Sequence, residues 1–436
     1  MRGMIVLGCL GVAPWLAACA EDSSVDGMFS QAEWEKIARM ALRDAPAPSP
    51  TNRYADNPAV AAFGQRLWFE TRFSGPLVYD APPEQGGLGA VGDVGKVSCA
   101  GCHTSTEWFY DTRSVPNDIS FGAYRSKRNS PSMVNAIYYK WGGWGGAQDQ
   151  FWKQGANVSE SKDLNGDRLR LAHVVYDHYR DDYNALFPIP LDSSLADLVR
   201  FPPSGHPKAM PSDPDGAWEA MTPEDQLAVN TISANVGKAF EAYERLLVSH
   251  NAPIDRYIDG DHGALSLAAK RGLQLFIGKA ACDACHQDST FTDNDFHNTG
   301  VVQASMPYDD GRYGDVGRLF NPFNGASMFS DAPDVGAEKL AGIVQTESMK
   351  GQFRTKSLRH VAKTAPYFHD GSMPTLEAVV RFYNEGGGTT GFPGVKDSLM
   401  VPLNLTDREI LDLVAFLKAL TGDPVPDTLT INTAAP

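Results

Sequence analysis

Cys99-Ala100-Gly101-Cys102-His103 is a C-x-x-C-H stretch, and the pattern returns at Cys282-Asp283-Ala284-Cys285-His286. C-x-x-C-H is an attachment site for c-type haem. The two thiols add to vinyl groups of the porphyrin, and the histidine that follows binds the iron from the proximal side. The chain has 436 residues and 6 cysteines, so two full copies leave only Cys9 and Cys19, both near the N-terminus. A four-cysteine zinc site would leave both histidines without a role, and the two pairs would have to meet in space. The sequence therefore predicts two covalently bound haem c groups. Cys99, Cys102 and His103 hold one; Cys282, Cys285 and His286 hold the other.

The length allows two or three domains with real cores. A formal net charge of −15 argues against nucleic acid or an anionic membrane surface as partner. It suits a basic protein or a small neutral substrate. No cysteine remains for a disulfide, so covalent haem takes the role of crosslink.

Arg2, an apolar run from Ile5 to Ala18 and the small residues after it read as an export signal. Leu16-Ala17-Ala18-Cys19 looks like a lipobox, with residues 1–19 as the signal and Cys19 as a lipidated first residue. Ordinary cleavage after Ala18-Cys19-Ala20 is the alternative. The expected location is the periplasm, with membrane contact only through a lipid anchor at Cys19. The run is too short for a permanent span, and nothing later approaches the length of one.

Residues 20–57 read as an N-terminal arm: polar and unstructured over 20–32, helical over 32–42, proline-rich and extended over 44–57. Asn57-Pro58 opens a helix with Val60, Phe63, Leu67 and Trp68 on its apolar side. A long glycine-rich loop, 71–96, then leads to the first C-x-x-C-H. Gly64-Gln65-Arg66-Leu67-Trp68 and Gly272-Leu273-Gln274-Leu275-Phe276 share a glycine, a leucine and a following aromatic at equal offsets ahead of each motif. This internal repeat predicts a small residue where each helix passes close to another element. The spacing to the motif is far longer in the first copy, which marks an insertion. Thr222-Pro223-Glu224-Asp225 starts a helix expected to reach about Val248. Residues 249–262 read as the interdomain connection. Thr406-Asp407-Arg408-Glu409 is a capping box that opens the last helix. Strand signal is scarce. The expected fold is all-α, with two c-type cytochrome domains at 58–250 and 251–425, one haem each, and a C-terminal tail at 426–436.

Several further stretches carry a resemblance. They are Arg128-Asn129-Ser130-Pro131, Trp144-Gly145-Gly146, Ala239-Phe240-Glu241-Ala242-Tyr243-Glu244-Arg245, Phe296-His297-Asn298-Thr299-Gly300 and Thr364-Ala365-Pro366-Tyr367-Phe368-His369-Asp370-Gly371. In order and content they resemble the bacterial di-haem cytochrome c peroxidase and MauG family over about residues 55–420. Pro50-Thr51-Asn52-Arg53-Tyr54-Ala55-Asp56-Asn57-Pro58 is most similar to the MbnH-type branch, which acts on tryptophan in a partner linked to copper binding.

The resemblance implies roles for individual residues. No histidine lies between His103 and His173, where family peroxidases often carry a releasable distal ligand, so the first iron is expected open to peroxide. The family's distal glutamine falls on Gln154. Its distal proline and carboxylate positions hold Val158 and Leu164, and Glu160 is the nearest substitute acid. Tyr383 falls where the peroxidases carry a methionine ligand to the second haem and the MauG-like branch a tyrosine. Trp144 falls between the haems, where an indole carries charge from one to the other. A calcium ion between the domains would be held by Asn117, Thr364 and Pro366, with Asp118 beside Asn117 as an alternative donor. His297, His360 and His369 are expected as structural or haem-edge residues. MauG's exit tryptophan corresponds to Ala280, so a route to a partner must differ.

The implied activity is a periplasmic oxidase. It forms a high-valent di-haem state with hydrogen peroxide and oxidises an aromatic residue of an exported partner, such as a copper-binding MbnP-like protein. One alternative is a cytochrome c peroxidase fed by a small cytochrome. The other is a non-catalytic di-haem electron carrier.

Overall fold

The computed structural model describes residues 24–78, 87–116, 119–304 and 306–435. The signal segment with Cys19, and the calcium candidates Asn117 and Asp118, lie outside them. The helices run α1 (Gln31–Ala38), α2 (Pro58–Trp68), α3 (Cys99–Cys102), α4 (Phe151–Asn157), α5 (Arg168–Leu186) and α6 (Pro223–Glu244). They continue α7 (Pro253–Ile258), α8 (Leu267–Ile277), α9 (Arg312–Val316), α10 (Pro333–Leu340), α11 (Leu376–Asn384) and α12 (Asp407–Lys418). Short strands β1 (Phe296–His297) and β2 (Phe353–Arg354) pair antiparallel. The protein is mostly helical, and none of the described helices is long and apolar enough to cross a membrane.

The helix starts follow their caps. The Asn57 side chain accepts from the N–H groups of Ala59 and Val60, with Pro58 in the first turn. Thr222 accepts from Asp225 at the head of α6, and Thr406 and Glu409 form a reciprocal box at the head of α12. Helix α6 stops at Glu244, short of Val248, because the chain tightens there: Leu246 donates to Tyr243 O and Leu247 to Glu244 O.

Two helix crossings organise the molecule. A Cβ on Gly64 would stand 1.9 Å from the Ala239 carbonyl oxygen, so α2 meets α6 backbone to backbone. A Cβ on Gly272 would stand 2.0 Å from the Asp412 carbonyl oxygen, so α8 meets α12 in the same way. The repeated glycines thus mark equivalent crossings. One buried apolar cluster gathers residues from Val60 to Leu247, with Val425; a second gathers Phe29, Ile37, Met40 and residues from Ala252 to Leu420. The C-terminal segment returns to the first cluster: the Gln65 amide donates to Thr428 O at 2.8 Å, and Tyr243 OH donates to Leu429 O.

The polar lead differs from expectation. From Val25 onward it is ordered, with Phe29 buried, Trp34 edge-on to Tyr257 at 5.6 Å and Ser30 capping α1. Phe29 is the cause: one aromatic with a partner in α7 outweighs the polar residues around it.

Because an added Cβ at Gly64 or Gly272 meets backbone that no rotamer change can move, Gly64→Ala and Gly272→Ala are each expected to destabilise by about 1–3 kcal/mol. Gly314 has open space around its Cβ position, so Gly314→Ala should be neutral or slightly stabilising. Thermal unfolding of the three variants measures this.

Candidate haem sites

The first motif folds as one helical turn. His103 N–H donates to Cys99 O at 2.9 Å, and His103 then leaves the helix. Its Nδ1 lies 3.3 Å from Phe109 O, and Ser130 Oγ lies 3.2 Å from the same nitrogen while donating to Cys102 O at 2.8 Å. Trp68 lies 5.8 Å from the imidazole and leads into Phe109, Phe240 and Tyr243. The second motif is a tight turn in which His286 Nδ1 lies 2.9 Å from Phe291 O. Burial lowers the pKa of both imidazoles and pushes the Cys102 and Cys282 thiols up to about 12. A neutral ring whose Nδ1–H donates to a carbonyl keeps its Nε2 lone pair for a metal, a tautomer assigned from that partner.

The donor set fits haem and not zinc. Among the described residues the two cysteine pairs do not converge, and the one group of three possible ligands is Cys285, Asp293 and His297. Haem also explains cations and polar atoms left unmatched: Arg113 Nη1, Arg354 Nη1 and His369 Nε2 are buried without a partner.

His286, Tyr383, Trp144, His369, Arg354 and Lys356 line one cavity. Tyr383 is carried there by α11, which buries Leu376 and Val380 in the second core and Phe382 against Phe368. Its ring lies 6.2 Å from Phe368 and 5.5 Å from Phe382. Burial pushes the phenol far above its ordinary pKa, opposed by a hydrogen bond with Thr299. Trp144 Nε1 donates to Asn129 O at 2.7 Å, and Trp144 O accepts from Arg354 N at 2.8 Å. Since Ser130 touches His103, the indole is linked to the first histidine through two adjacent residues. Asn129 also binds the second half, donating from N to His369 O at 2.7 Å and from Nδ2 to Pro366 O at 2.6 Å.

The remaining predicted residues separate. Gln154 is on an exposed part of α4. Glu160 is tied to Arg168, whose Nη2 donates to it at 2.7 Å and whose Nη1 donates to Asn230 at 2.6 Å. Leu164 is core. Asp163, one position earlier and missed in the sequence, lies within electrostatic reach of the Cys102 thiol. Burial raises its pKa, opposed by Arg318. A residue count allowing a one-residue slip would have found it. Thr364 and Pro366 both line the cavity, and the Pro366 carbonyl already accepts from Asn129. His360 is buried, stacks on Trp108 at 4.8 Å and is lowered to about 3 by burial. His369 stacks on Phe353 at 3.7 Å and is lowered to about 4 by burial. Lys356, also unforeseen, has its amine pushed well below the ordinary lysine value by burial and then by Arg354 and Arg128.

Residues 58–263 match the family model described as di-haem cytochrome c peroxidase. Cytochrome-c peroxidase IdrP1 of Denitromonas iodatirespirans is 31% identical, over 86% of this chain and 85% of its own. The methylamine utilization protein MauG of Methylorubrum extorquens is 27% identical, over 96% of this chain and 94% of its own. A crystal structure of a MauG-like protein associated with microbial copper homeostasis shares the fold, with TM-score 0.53 at 23% identity, over 90% of this chain and 97% of that one.

His297 gives a pH test. Its Nε2–H donates to Asp293 at 3.0 Å and its Nδ1–H to Asp397 at 2.8 Å. Asp293 first, with Asp397, raises it against burial, and both carboxyls are lowered. A raised histidine stabilises fully below its unfolded value near 6.5, and that contribution fades as pH climbs above it. The lowered carboxyls stabilise above about 3.8 and lose that contribution in acid. His297→Gln should therefore cost most between about pH 4 and 6.5, roughly 1.5–3 kcal/mol. The gap from the parent protein should narrow by pH 9 in thermal unfolding.

Proposed function

Since the chain belongs to the di-haem cytochrome c peroxidase and MauG family, haem oxidoreductases that act with peroxide, we propose that it uses hydrogen peroxide to oxidise an aromatic residue, tryptophan first, of an exported partner protein. The observation that carries this reading is Tyr383 lining the same cavity as His286, with Trp144 in its wall. A soft thioether raises the potential of a haem and suits electron relay; an anionic phenolate favours ferric and higher states. A tyrosine there suits a centre that stores oxidising equivalents.

Bound haem supplies the iron at which the O–O bond is broken and the oxidising equivalents are held. Overall, peroxide takes two electrons and two protons to become two waters, and the electrons come from the partner's aromatic ring. His103 and His286 would hold the two irons through their free ring nitrogens, and Tyr383 would offer its phenol oxygen to the second. Trp144 carries charge between the two centres. Gln154 stays a distal amide candidate. For the distal acid we favour Asp163 over Glu160: its carboxyl is half-buried near the first motif and desolvation raises it, so it can hold a proton for the leaving oxygen. Glu160 instead holds Arg168. A calcium ion among Asn117, Thr364 and Pro366 belongs to the proposal, because oxygen donors suit it. So do export to the periplasm, an anchor at Cys19 and a copper-binding partner, the last supported by the copper-associated relative.

A second reading, peroxide reduction with electrons from a small cytochrome, is favoured by the name of the 31% identical relative. The test mixes fully ferric protein with peroxide and a candidate partner, follows the haem spectra and maps the partner by mass spectrometry. Reaction without prior reduction, and an oxidised tryptophan or tyrosine on the partner, are expected. A requirement for a reduced cytochrome, with no modified aromatic, would install the second reading. Tyr383→Phe should convert the low-spin second haem to high spin. Asp163→Asn should slow the peroxide step by about 10²–10⁴-fold. Glu160→Gln should act through Arg168 and lower stability by about 1–3 kcal/mol.

A further inference from the structure

Beside the cavity stand two cations that no carboxylate of the described residues neutralises, Arg354 buried and Lys356 half-buried. Arg128, close by, is matched: it donates to Asp309 at 2.5 and 2.7 Å and to Asp315 at 2.5 Å. Arg354 is different. It is 3% exposed, Nε reaches only the Gly143 carbonyl at 3.3 Å, the guanidinium covers the Tyr139 ring at 3.5 Å, and Nη1 has no partner. Lys356 has no carboxylate within ion-pair distance among the described residues. Its Nζ lies 4.5 Å from the centre of the Trp144 ring and 5.4 Å from that of Tyr139.

The two cations share a face for a simple reason. They are two apart on the extended segment that continues β2, where alternate side chains point the same way. Thr355 between them points elsewhere and binds Thr292 through its carbonyl at 2.6 Å. Lys356 and Arg354 line the same cavity as His286 and Trp144. Burying a guanidinium without a counter-charge is costly, and a second cation two residues on, facing the same cavity, makes the spot a place for an anion. Each haem brings two carboxylates, and a haem in this cavity would present them to the polar side of its lining.

We propose that Arg354 and Lys356 form a two-cation clamp for a haem carboxylate, and that Lys356 thereby sets how readily the Trp144 indole beneath it gives up an electron. The clamp rests on the reading of the cavity as a haem site. A positive charge over the indole face is attractive while the ring is neutral and repulsive once it has lost an electron. Removing the charge should favour the oxidised forms of the indole and of the adjacent haem alike. Lys356 acts through Trp144 and the haem, as a positioning residue.

The experiment uses the full-length holoprotein. Because both haems are covalently attached, a clamp variant keeps its cofactors and its potentials can be read. Haem stain on a denaturing gel first counts the attached haems. If the parent protein carries none, the haem reading fails, and the clamp with it. With two haems present, Lys356→Gln should lower a haem midpoint potential by about a tenfold change in the one-electron equilibrium, 59 mV. Lys356→Arg should restore it. Potentials in Lys356→Gln equal to those of the parent protein overturn the proposal. If Lys356→Gln does not fold, Lys356→Met removes the charge and keeps the volume, and its potentials decide in the same way. If neither neutral variant folds while Lys356→Arg does, the charge serves folding alone, and the tuning role is overturned.

Discussion

Each half of the chain depends on a backbone-to-backbone helix crossing that a single missing Cβ permits. At Gly64 the α2 backbone touches the Ala239 carbonyl, and at Gly272 the α8 backbone touches that of Asp412. The consequence is positional. Close approach at the crossing brings Trp68 against Phe240 and Tyr243 in one half, and Phe276 against Phe416 in the other. These aromatic walls stand behind His103 and Phe291, the latter supplying the carbonyl for His286. A methyl group at either glycine would be transmitted through close-packed rings to the imidazole that takes the iron.

Local chemistry made much of this legible in the sequence. Caps at Asn57, Thr222 and Thr406 act within four residues of themselves, so they can be read without the fold. The repeated glycines could be read as crossings because nothing else explains a glycine at the same offset in two amphipathic helices. What stayed hidden depends on residues far apart in the chain. Phe29 orders the N-terminal lead only because Tyr257 and Trp34 complete a ring cluster. Glu160 is drawn off by Arg168 from across a loop. Arg354 and Lys356 carry no signal in the sequence; only the fold sets Arg354 over Tyr139 and Lys356 over Tyr139 and Trp144. Asp163 was one residue from the expected position, and a fixed count has no tolerance for a turn that adds or drops one residue.

Asn129 shows how the two halves act as one. Its carbonyl holds the Trp144 indole, its backbone N–H holds His369, and its side chain holds Pro366. Both neighbours contribute as well: Ser130 steadies His103, and Arg128 pairs with Asp309 and Asp315 from the second half. A buried network of this kind is stable only if every member keeps its partner. The orientation of the indole is therefore set jointly by both halves.

The surface opening of the cavity bears on where a partner meets this chemistry. Ala280 lines the cavity and is 5% exposed, so no aromatic relay leads outward at that point. Leu399 and Val401 line the same cavity and are 57% and 53% exposed. The cavity thus reaches solvent through aliphatic side chains, on the wall shared with Tyr383. Under the proposed function, a partner's aromatic residue would meet this apolar rim and would not have to enter a pocket.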